Sequence, residues 1–159
     1  TISHNKIYSD IVCELEDGKN VAMLTIGDPS VYSTYMYIHK RVMQAGFTAV
    51  MISGVPSFCA AAARLGISLC EMMDEIHIIP ASYDVRDTVG YGGTCVYMKS
   101  GKKLAELIEV LRTGDAIRKK KMTVYGVTNC GMESERVYRG LDELTEAKGY
   151  LTIVIVKYS

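Results

Sequence analysis

The sequence predicts an α/β protein with a largely parallel or mixed sheet. Short apolar runs of strand length alternate with segments of helical length, the connections between them are short, and the chain closes on the β-branched run LTIVIVKY. With 159 residues, the chain is long enough for one real core or for two small lobes.

Composition excludes several classes of function. The formal net charge is zero, which disfavours a nucleic-acid partner held by a general positive field. No apolar run approaches the roughly 20 residues that span a membrane, and no signal peptide is visible. We therefore expect a cytoplasmic protein that binds neither nucleic acid nor membrane.

Cysteine and histidine usage predicts no metal site and no disulfide framework. The five cysteines are odd in number and form no CxxC pair, so we expect reduced, buried thiols in the core. The three histidines, His4, His39 and His77, lie in different predicted elements, and we expect no protein-bound metal.

The first half of the chain alternates helices and strands. Gly46 and Gly66 each follow a segment of helical length and suit the position after a helix C-terminus. The predicted elements are a helix at Ile7–Leu15, a strand at Val21–Ile26, a helix at Val31–Ala45, a strand at Ala49–Ile52 and a helix at Ser57–Leu65.

The second half continues the alternation. Its glycine-rich stretch GYGG precedes a strand, whereas a dinucleotide fingerprint follows one, so we expect a loop there. The predicted elements are a strand at Ile76–Ile79, a loop at Tyr83–Gly93, a strand at Thr94–Met98, a helix at Leu104–Leu111, a strand at Met122–Val127, a helix or irregular piece at Glu133–Arg139 and a strand at Leu151–Tyr158. The basic run Arg118–Lys121 is expected on the surface.

A lobe boundary is predicted at the Ser53-Gly54-Val55-Pro56 connection, which places a glycine and a proline between a strand and a helix. The predicted lobes are residues 1–53 and 54–159. Clefts between lobes are preferred ligand sites.

The strand-to-helix junction GDPSVYST is the leading candidate for a ligand loop. Gly27 allows a close approach of the backbone, Asp28 offers a carboxylate or a helix N-cap, and Pro29 fits a first helical turn. Small molecules bind at such carboxyl ends of strands in open α/β proteins.

Several segments together resemble the tetrapyrrole (corrin/porphyrin) methylase family. They are LTIGDPSVYSTYMYIHKRV, SGVPSFCAAAARLGISLCE, IIPASYD, VYMKSG, YGVTNCGMESERV and LTIVIVKY. The GDPSVYST string is most similar to the branch that methylates C20 of precorrin-2 or cobalt-factor II. The resemblance implies the two-lobed fold of class III methyltransferases, and a homodimer.

Two departures from the family pattern stand out. No glycine- and proline-rich first loop precedes Thr1, so the N-terminal lobe is expected to be incomplete. In SGVPSF, Ser53 takes the place of a proline, and Pro56 lacks an N–H donor.

The resemblance also implies S-adenosylmethionine as methyl donor, S-adenosylhomocysteine as product, and a site for both between the lobes. The residues implied as contacts to the donor are Ile26, Gly27, Asp28, Val31, Pro56, Ser57, Met98, Asn129, Cys130, Gly131 and, more weakly, Thr152.

The implied acceptor is an electron-rich tetrapyrrole, precorrin-2 or cobalt-factor II, which needs no nucleophilic side chain. The group that takes the proton is open, with Tyr32 and Tyr83 as candidates. Two alternatives also stay open: a methylase for another corrin position, and a non-catalytic ligand-binding fragment.

Overall fold

The computed structural model describes residues 2–117 and 121–158. The chain divides into two compact units, Thr1–Pro56 and Ser57–Ser159. Of the predicted basic run, residues 118–120 lie outside the described residues.

Two helices, α1 (Ile2–Glu16) and α2 (Tyr35–Gln44), form the packed part of the first unit. The Arg41 guanidinium lies 3.8 Å from the centre of the Tyr8 ring and donates a 2.9 Å hydrogen bond to Asn5. This cation–π contact and hydrogen bond join the two helices across their polar edge.

The predicted strands Val21–Ile26 and Ala49–Ile52 are wrong as strand assignments. Both segments are irregular in the structure and belong to no described sheet. Their apolar side chains are largely exposed, with Leu24 at 92% and Ile52 at 85%. A strand requires a hydrogen-bonded neighbour as well as β-branched residues, and propensity alone cannot supply that neighbour.

The predicted helix Val31–Ala45 starts later than expected, at Tyr35, and ends at Gln44. Tyr32 has a φ of 49°, outside the helical region, and the Ser33 hydroxyl accepts the N–H of Tyr35 at 3.2 Å. Asp28 and Pro29 therefore lie in a turn before the helix, and the predicted helix-capping role of Asp28 is wrong.

The described part of the second unit holds a five-stranded sheet with three α-helices. Its elements are α3 (Ser57–Leu65), β1 (Ile76–Pro80), β2 (Thr94–Met98), α4 (Leu104–Ile117), β3 (Met122–Thr128), β4 (Arg136–Arg139), α5 (Leu141–Leu144) and β5 (Thr152–Tyr158), with short 3₁₀ turns at Arg86–Gly90 and Gly101–Lys103. The predicted α/β class with a mixed sheet is confirmed.

The strand order is β1-β2-β5-β3-β4. Strands β1 and β2 are parallel, whereas β5 runs antiparallel to both of its neighbours, β2 and β3, and β4 runs antiparallel to β3. The terminal strand β5 therefore lies at the centre of the sheet, which explains its unbroken β-branched sequence: both of its faces are covered.

The core of this unit lies between the sheet and α4. Alternate residues of β2 and β5, such as Tyr97 and Val154, pack with Leu107 and Leu111 of α4 in one cluster. Residues that alternate with these along the strands, such as Val96, point to the other face of the sheet and are equally buried. The helix α3 contacts β3 and β5.

Most predicted elements of this unit are confirmed. The bounds of α3 and β2 are as predicted, and β1, α4, β3 and β5 differ only at their ends. The predicted helix or irregular piece at Glu133–Arg139 is wrong in part, because Arg136–Arg139 is strand β4, paired with Tyr125–Thr128. The partner strand overrides the local pattern there. The predicted loop Tyr83–Gly93 contains the 3₁₀ turn at residues 86–90, and α5 was not predicted.

The cysteine prediction needs a correction. All five thiols are free, but Cys13 and Cys70 are exposed, and Cys95 alone is buried. Cys13 lies on an exposed position of α1, and Cys70 lies in the irregular segment before β1, where there is no core to fill.

A candidate ligand site at one end of the sheet

The carboxyl ends of three strands meet at one end of the sheet. Pro80 pairs with Met98 in the parallel β1–β2 register, and Thr128 pairs with Thr152 in the antiparallel β3–β5 register. Because β2 and β3 both run against β5, their last residues converge on its first residue, Thr152. The structure thereby brings the predicted site residues Met98, Asn129–Gly131 and Thr152 to the same end of the second unit.

The loop after β3 is a tight turn held by its own backbone. Asn129 has a φ of 51° and Gly131 a φ of 79°, so two residues occupy the left-handed region. The Asn129 carbonyl accepts the N–H of Met132 at 3.0 Å, and the Asn129 side chain donates to Ser134 at 2.9 Å. Asparagine and glycine tolerate this conformation better than other residues, which explains the Asn-Cys-Gly sequence.

Glu135 anchors this loop from its far side. Its carboxylate accepts the backbone N–H of Gly131 at 2.8 Å and pairs with the Arg64 guanidinium of α3. The hydrogen bond from Gly131, followed by that from Arg64, lowers the pKa of Glu135 below its usual value. The carboxylate is thus ionised in its anchoring role at neutral pH.

Cys130 presents its backbone rather than its thiol. Burial, with a further contribution from the Glu135 carboxylate, raises the pKa of the thiol, so the sulfur is not activated as a nucleophile. Within residues 2–117 and 121–158, no hydrogen bond engages the backbone N–H or carbonyl of Cys130. The turn therefore leaves one backbone donor and one backbone acceptor without a partner among the described residues.

The neighbouring strand end is formed by β1 and β2. The carbonyl of Met98, a residue with 8% exposure, accepts the N–H of Ala81 at 2.8 Å. Lys99 follows with a φ of 58°, which turns the chain sharply out of the sheet. Tyr83, one of the two candidate proton acceptors, is 71% exposed and lies three residues after β1.

In the first unit, Asp28 joins two loops. One carboxylate oxygen accepts the N–H and hydroxyl of Ser30, and the other accepts the Ser53 hydroxyl at 2.7 Å and the Gly54 N–H at 3.0 Å. These hydrogen bonds lower the pKa of Asp28 well below its usual value, with Ser30 the largest cause. These four donors match the roughly four acceptor sites of a carboxylate.

The other predicted residues of the first unit lie along the same loops. Ile26 is 84% exposed beside Gly27, whose φ is 83°, while Val31 and Pro56 are half-buried. Tyr32 is 44% exposed. Ser57, in the second unit, is the first residue of α3.

Sequence reasoning missed the residues that hold the site together, namely Glu135, Thr128 and Ser100. The signal for Glu135 was its place four residues after Gly131, within reach of a turn. The buried hydroxyls carried no signal, because serine and threonine at strand ends are common.

A cavity of about 510 Å³ lies elsewhere on the second unit, between α4 and the segment that follows α5. Leu104, Arg112 and Ala147 line it, and none of the predicted site residues does. Arg112 is itself bound to Asp142 at 2.6 Å. Among the described residues, no three His, Cys, Asp or Glu side chains are placed to hold a metal ion, and no helix is long and apolar enough to cross a membrane.

The structure is an α/β chain whose converging strand ends form a candidate ligand site at one end of the sheet. Residues 1–145 match the family model of the Tetrapyrrole (Corrin/Porphyrin) Methylases. The chain belongs to this family, as its resemblance predicts.

Among curated proteins, the chain is 34% identical over 145 residues to a probable cobalt-precorrin-2 C(20)-methyltransferase from Methanocaldococcus jannaschii. The match covers 89% of this chain and 60% of that relative, so the chain spans a little under two thirds of the relative's length.

Solved structures share the fold at low sequence identity. A cobalt precorrin-4 methyltransferase, CbiF, superimposes with a TM-score of 0.81 at 16% identity, over 96% of this chain and 70% of that one. The uroporphyrin-III C-methyl transferase of Thermus thermophilus, solved with S-adenyl homocysteine, gives a TM-score of 0.75 at 16% identity, over 96% and 72%.

Proposed function

We propose that the chain functions as an S-adenosylmethionine-dependent methyltransferase of cobalamin biosynthesis, acting at C20 of precorrin-2 or its cobalt complex. The observation that carries the proposal is the 34% identity to the C(20)-methyltransferase relative, which spans the site loops of both units. We include a cytoplasmic location and a homodimer in the proposal, as the family resemblance implies.

The chemistry of the sheet end fits the nucleoside half of the donor. The edge of adenine presents a ring nitrogen acceptor beside an exocyclic amine donor. The Cys130 backbone N–H and carbonyl, which no other described group engages, match that pair. Met98 supplies an apolar, polarisable side chain at the neighbouring strand end, suited to a flat ring or a thioether.

The predicted contacts of the first unit concern the methionine half. Gly27, with its positive φ, allows close approach of a ligand to the backbone. Asp28 carries a negative charge near that turn, but its oxygens already accept four hydrogen bonds. We propose that Asp28 acts on the donor through its field and through the loop it holds, with Ile26 and Val31 beside it.

The bound donor supplies an electrophilic methyl carbon on a sulfonium. In the transfer, an electron pair of the tetrapyrrole carbon forms the new C–C bond while the C–S bond breaks, and its electrons neutralise the sulfur of S-adenosylhomocysteine. The tetrapyrrole carbon then gives its proton to a base. Positioning of two reactants accounts for most of the help such a displacement needs. The raised pKa of the Cys130 thiol agrees with a reaction that uses no thiolate.

Two tyrosines are candidates for the base that takes the proton. Tyr83 stands at the sheet end, and Tyr32 stands in the Gly27–Thr34 turn; both phenols are partly exposed. Each is a candidate for taking the proton, directly or through water.

Titration calorimetry with S-adenosylhomocysteine tests the donor site. We expect micromolar binding, with about one site per chain, for the 159-residue chain and for the product of the whole open reading frame. Absence of binding in both folded samples contradicts the proposal.

Substrate assays then separate the alternatives. Incubation with S-adenosylmethionine and either precorrin-2 or cobalt-precorrin-2 should add one methyl group to the tetrapyrrole, located at C20 by NMR. Methylation at a different carbon favours a methylase for another corrin position. Donor binding without turnover favours the non-catalytic ligand-binding fragment.

A further inference from the structure

A buried hydroxyl network ties together the strand ends that carry the proposed donor contacts. Thr152 and Ser100 are fully buried, and Thr128 is 3% exposed. The Thr152 hydroxyl lies 2.9 Å from the Thr128 hydroxyl and donates to the Gly149 carbonyl at 2.9 Å.

The direction of these hydrogen bonds follows from the donors available. A carbonyl only accepts, so the single proton of the Thr152 hydroxyl goes to Gly149. Thr128 must then donate to Thr152. The Ser100 hydroxyl donates to the Thr152 carbonyl at 3.2 Å, which connects the segment after β2 to the start of β5.

The backbone on both sides of this network is closely packed. A Cβ at Gly101 would lie 2.8 Å from the Gly149 carbonyl oxygen, so the segment after β2 lies directly on the Gly149–Leu151 turn. The Leu151 carbonyl accepts the N–H of Asn129 at 3.0 Å, so the same turn holds the first residue of the Asn129–Gly131 loop.

We propose that Thr152 is a positioning residue for the methyl-donor site. Its side chain holds the Gly149–Leu151 turn, and that turn holds the loop whose Cys130 backbone faces the donor. The inference rests on the proposed function for its ligand, and on the hydroxyl network for its geometry. Such a role explains a fully buried side chain among residues expected to bind a ligand.

Thr152→Val tests the inference, because it keeps the shape of the side chain and removes the hydroxyl. It leaves the Gly149 carbonyl without its donor and the Thr128 hydroxyl without its acceptor. We therefore expect the Kd for S-adenosylhomocysteine to rise about tenfold. Exchange of the Asn129 amide hydrogen should also accelerate. Thr152→Ser should restore both values to within about twofold of the unchanged chain.

Thr94→Val is the matched control. Thr94 is 1% exposed at the first residue of β2, and its hydroxyl has no hydrogen-bond partner among the described residues. We expect neither the Kd nor Asn129 exchange to change. If Thr152→Val does not fold, Thr152→Ala serves in its place, because it also removes the hydroxyl that donates to Gly149 and adds no new methyl group to the contact.

The outcomes separate this inference from the proposed function. Unchanged affinity in a folded Thr152→Val, or equal weakening by Thr94→Val, overturns the positioning role while the proposed function stands. If the unchanged chain binds no S-adenosylhomocysteine, the proposed function and the donor part of this inference fail together. Unchanged Asn129 exchange in Thr152→Val overturns the positioning geometry itself, whatever the ligand.

Discussion

Asp28 and Gly54, 26 residues apart, are joined by a 3.0 Å hydrogen bond from the Gly54 N–H to the carboxylate. The contact is close enough that a Cβ at Gly54 would lie 2.3 Å from the carbonyl oxygen of Gly27. The two loops of the first unit that are predicted to meet the donor are therefore held together by the Asp28 carboxylate and by the close packing of Gly54 on the Gly27 backbone. Asp28 has this structural role besides any role in binding.

Gly54→Ala should destabilise the chain by about 1–3 kcal/mol, the usual cost of forcing a methyl group into a packed contact. The backbone carbonyl of Gly27 cannot move aside as a flexible side chain would. Urea unfolding followed by circular dichroism measures the loss. Gly92→Ala is the control, since a Cβ there meets nothing within 4 Å; equal midpoints for the two variants would contradict the close approach.

Asp28→Asn should remove part of the acid sensitivity of the first unit. The pKa of Asp28 is lowered in the folded chain, so its contribution to stability is fully present above the ordinary carboxyl pKa and is lost as pH falls toward the folded value. Urea midpoints between pH 7 and pH 3 should fall less for Asp28→Asn than for the unchanged chain. Asp10→Asn, at an exposed position of α1, should follow the unchanged chain. If the urea midpoints of the unchanged chain and of both variants fall equally with pH, the stabilising role of the Asp28 hydrogen bonds is contradicted.

How far the sequence predicts the fold depends on where each element finds its partner. The bounds of α3 and β2 follow from their own composition, since an alanine-rich run and a fully buried apolar run are recognisable in isolation. The segments Val21–Ile26 and Ala49–Ile52 have equally apolar sequences, yet neither is a strand, because pairing depends on a neighbour that composition does not specify.

Some residues of the candidate site can be identified from the sequence, and others only from the structure. Asn129, Cys130 and Gly131 were identified through the family resemblance. The structure supplies the reason for their sequence, because the residues on either side of Cys130 both have a positive φ. The contact between Thr128 and Thr152 spans 24 residues and exists only because β3 and β5 pair in one register. Register is a tertiary property, so the residues that position the loop stay invisible to the sequence alone.

Tyr97→Phe should destabilise the second unit by about 1 kcal/mol, the net value of a typical buried hydrogen bond. The Thr88 hydroxyl donates to the Val85 carbonyl, so the Tyr97 hydroxyl, 2.9 Å away, must donate to Thr88. Thermal unfolding measures the change. Tyr150→Phe, at a 63% exposed position, should leave the midpoint unchanged, and a similar loss in both variants would argue against this hydrogen bond.

Because the Tyr97 phenol is buried, we expect the stability of the fold to decrease at alkaline pH. Burial raises the pKa of Tyr97 far above its ordinary value near 10, so the folded state resists ionisation of this group. A raised acid pKa stabilises the fold below the unfolded pKa, and that stability is lost as pH rises beyond it. In ultraviolet difference titration of the unchanged chain, we expect a phenol that ionises only when the chain unfolds. Tyr97→Phe should lack that late phenol; if the number of late-titrating phenols is the same in both chains, the assignment to Tyr97 is contradicted.

Glu135→Ala should loosen the Asn129–Gly131 loop without unfolding the sheet. The substitution removes the acceptor of the Gly131 N–H and the ion pair of Arg64. The loop keeps its internal turn, its hydrogen bond to Leu151 and the hydrogen bond from Asn129 to Ser134. We expect the Gly131 amide to exchange several-fold faster and the affinity for S-adenosylhomocysteine to fall, while the urea midpoint changes little. Glu133→Ala, at an exposed position two residues earlier, should alter neither quantity.

Because the pKa of Glu135 is lowered in the fold, the unchanged chain should approach the exchange rate of the variant only as pH falls through that lowered pKa. Exchange that stays slow in Glu135→Ala would show that the loop holds its shape without this anchor.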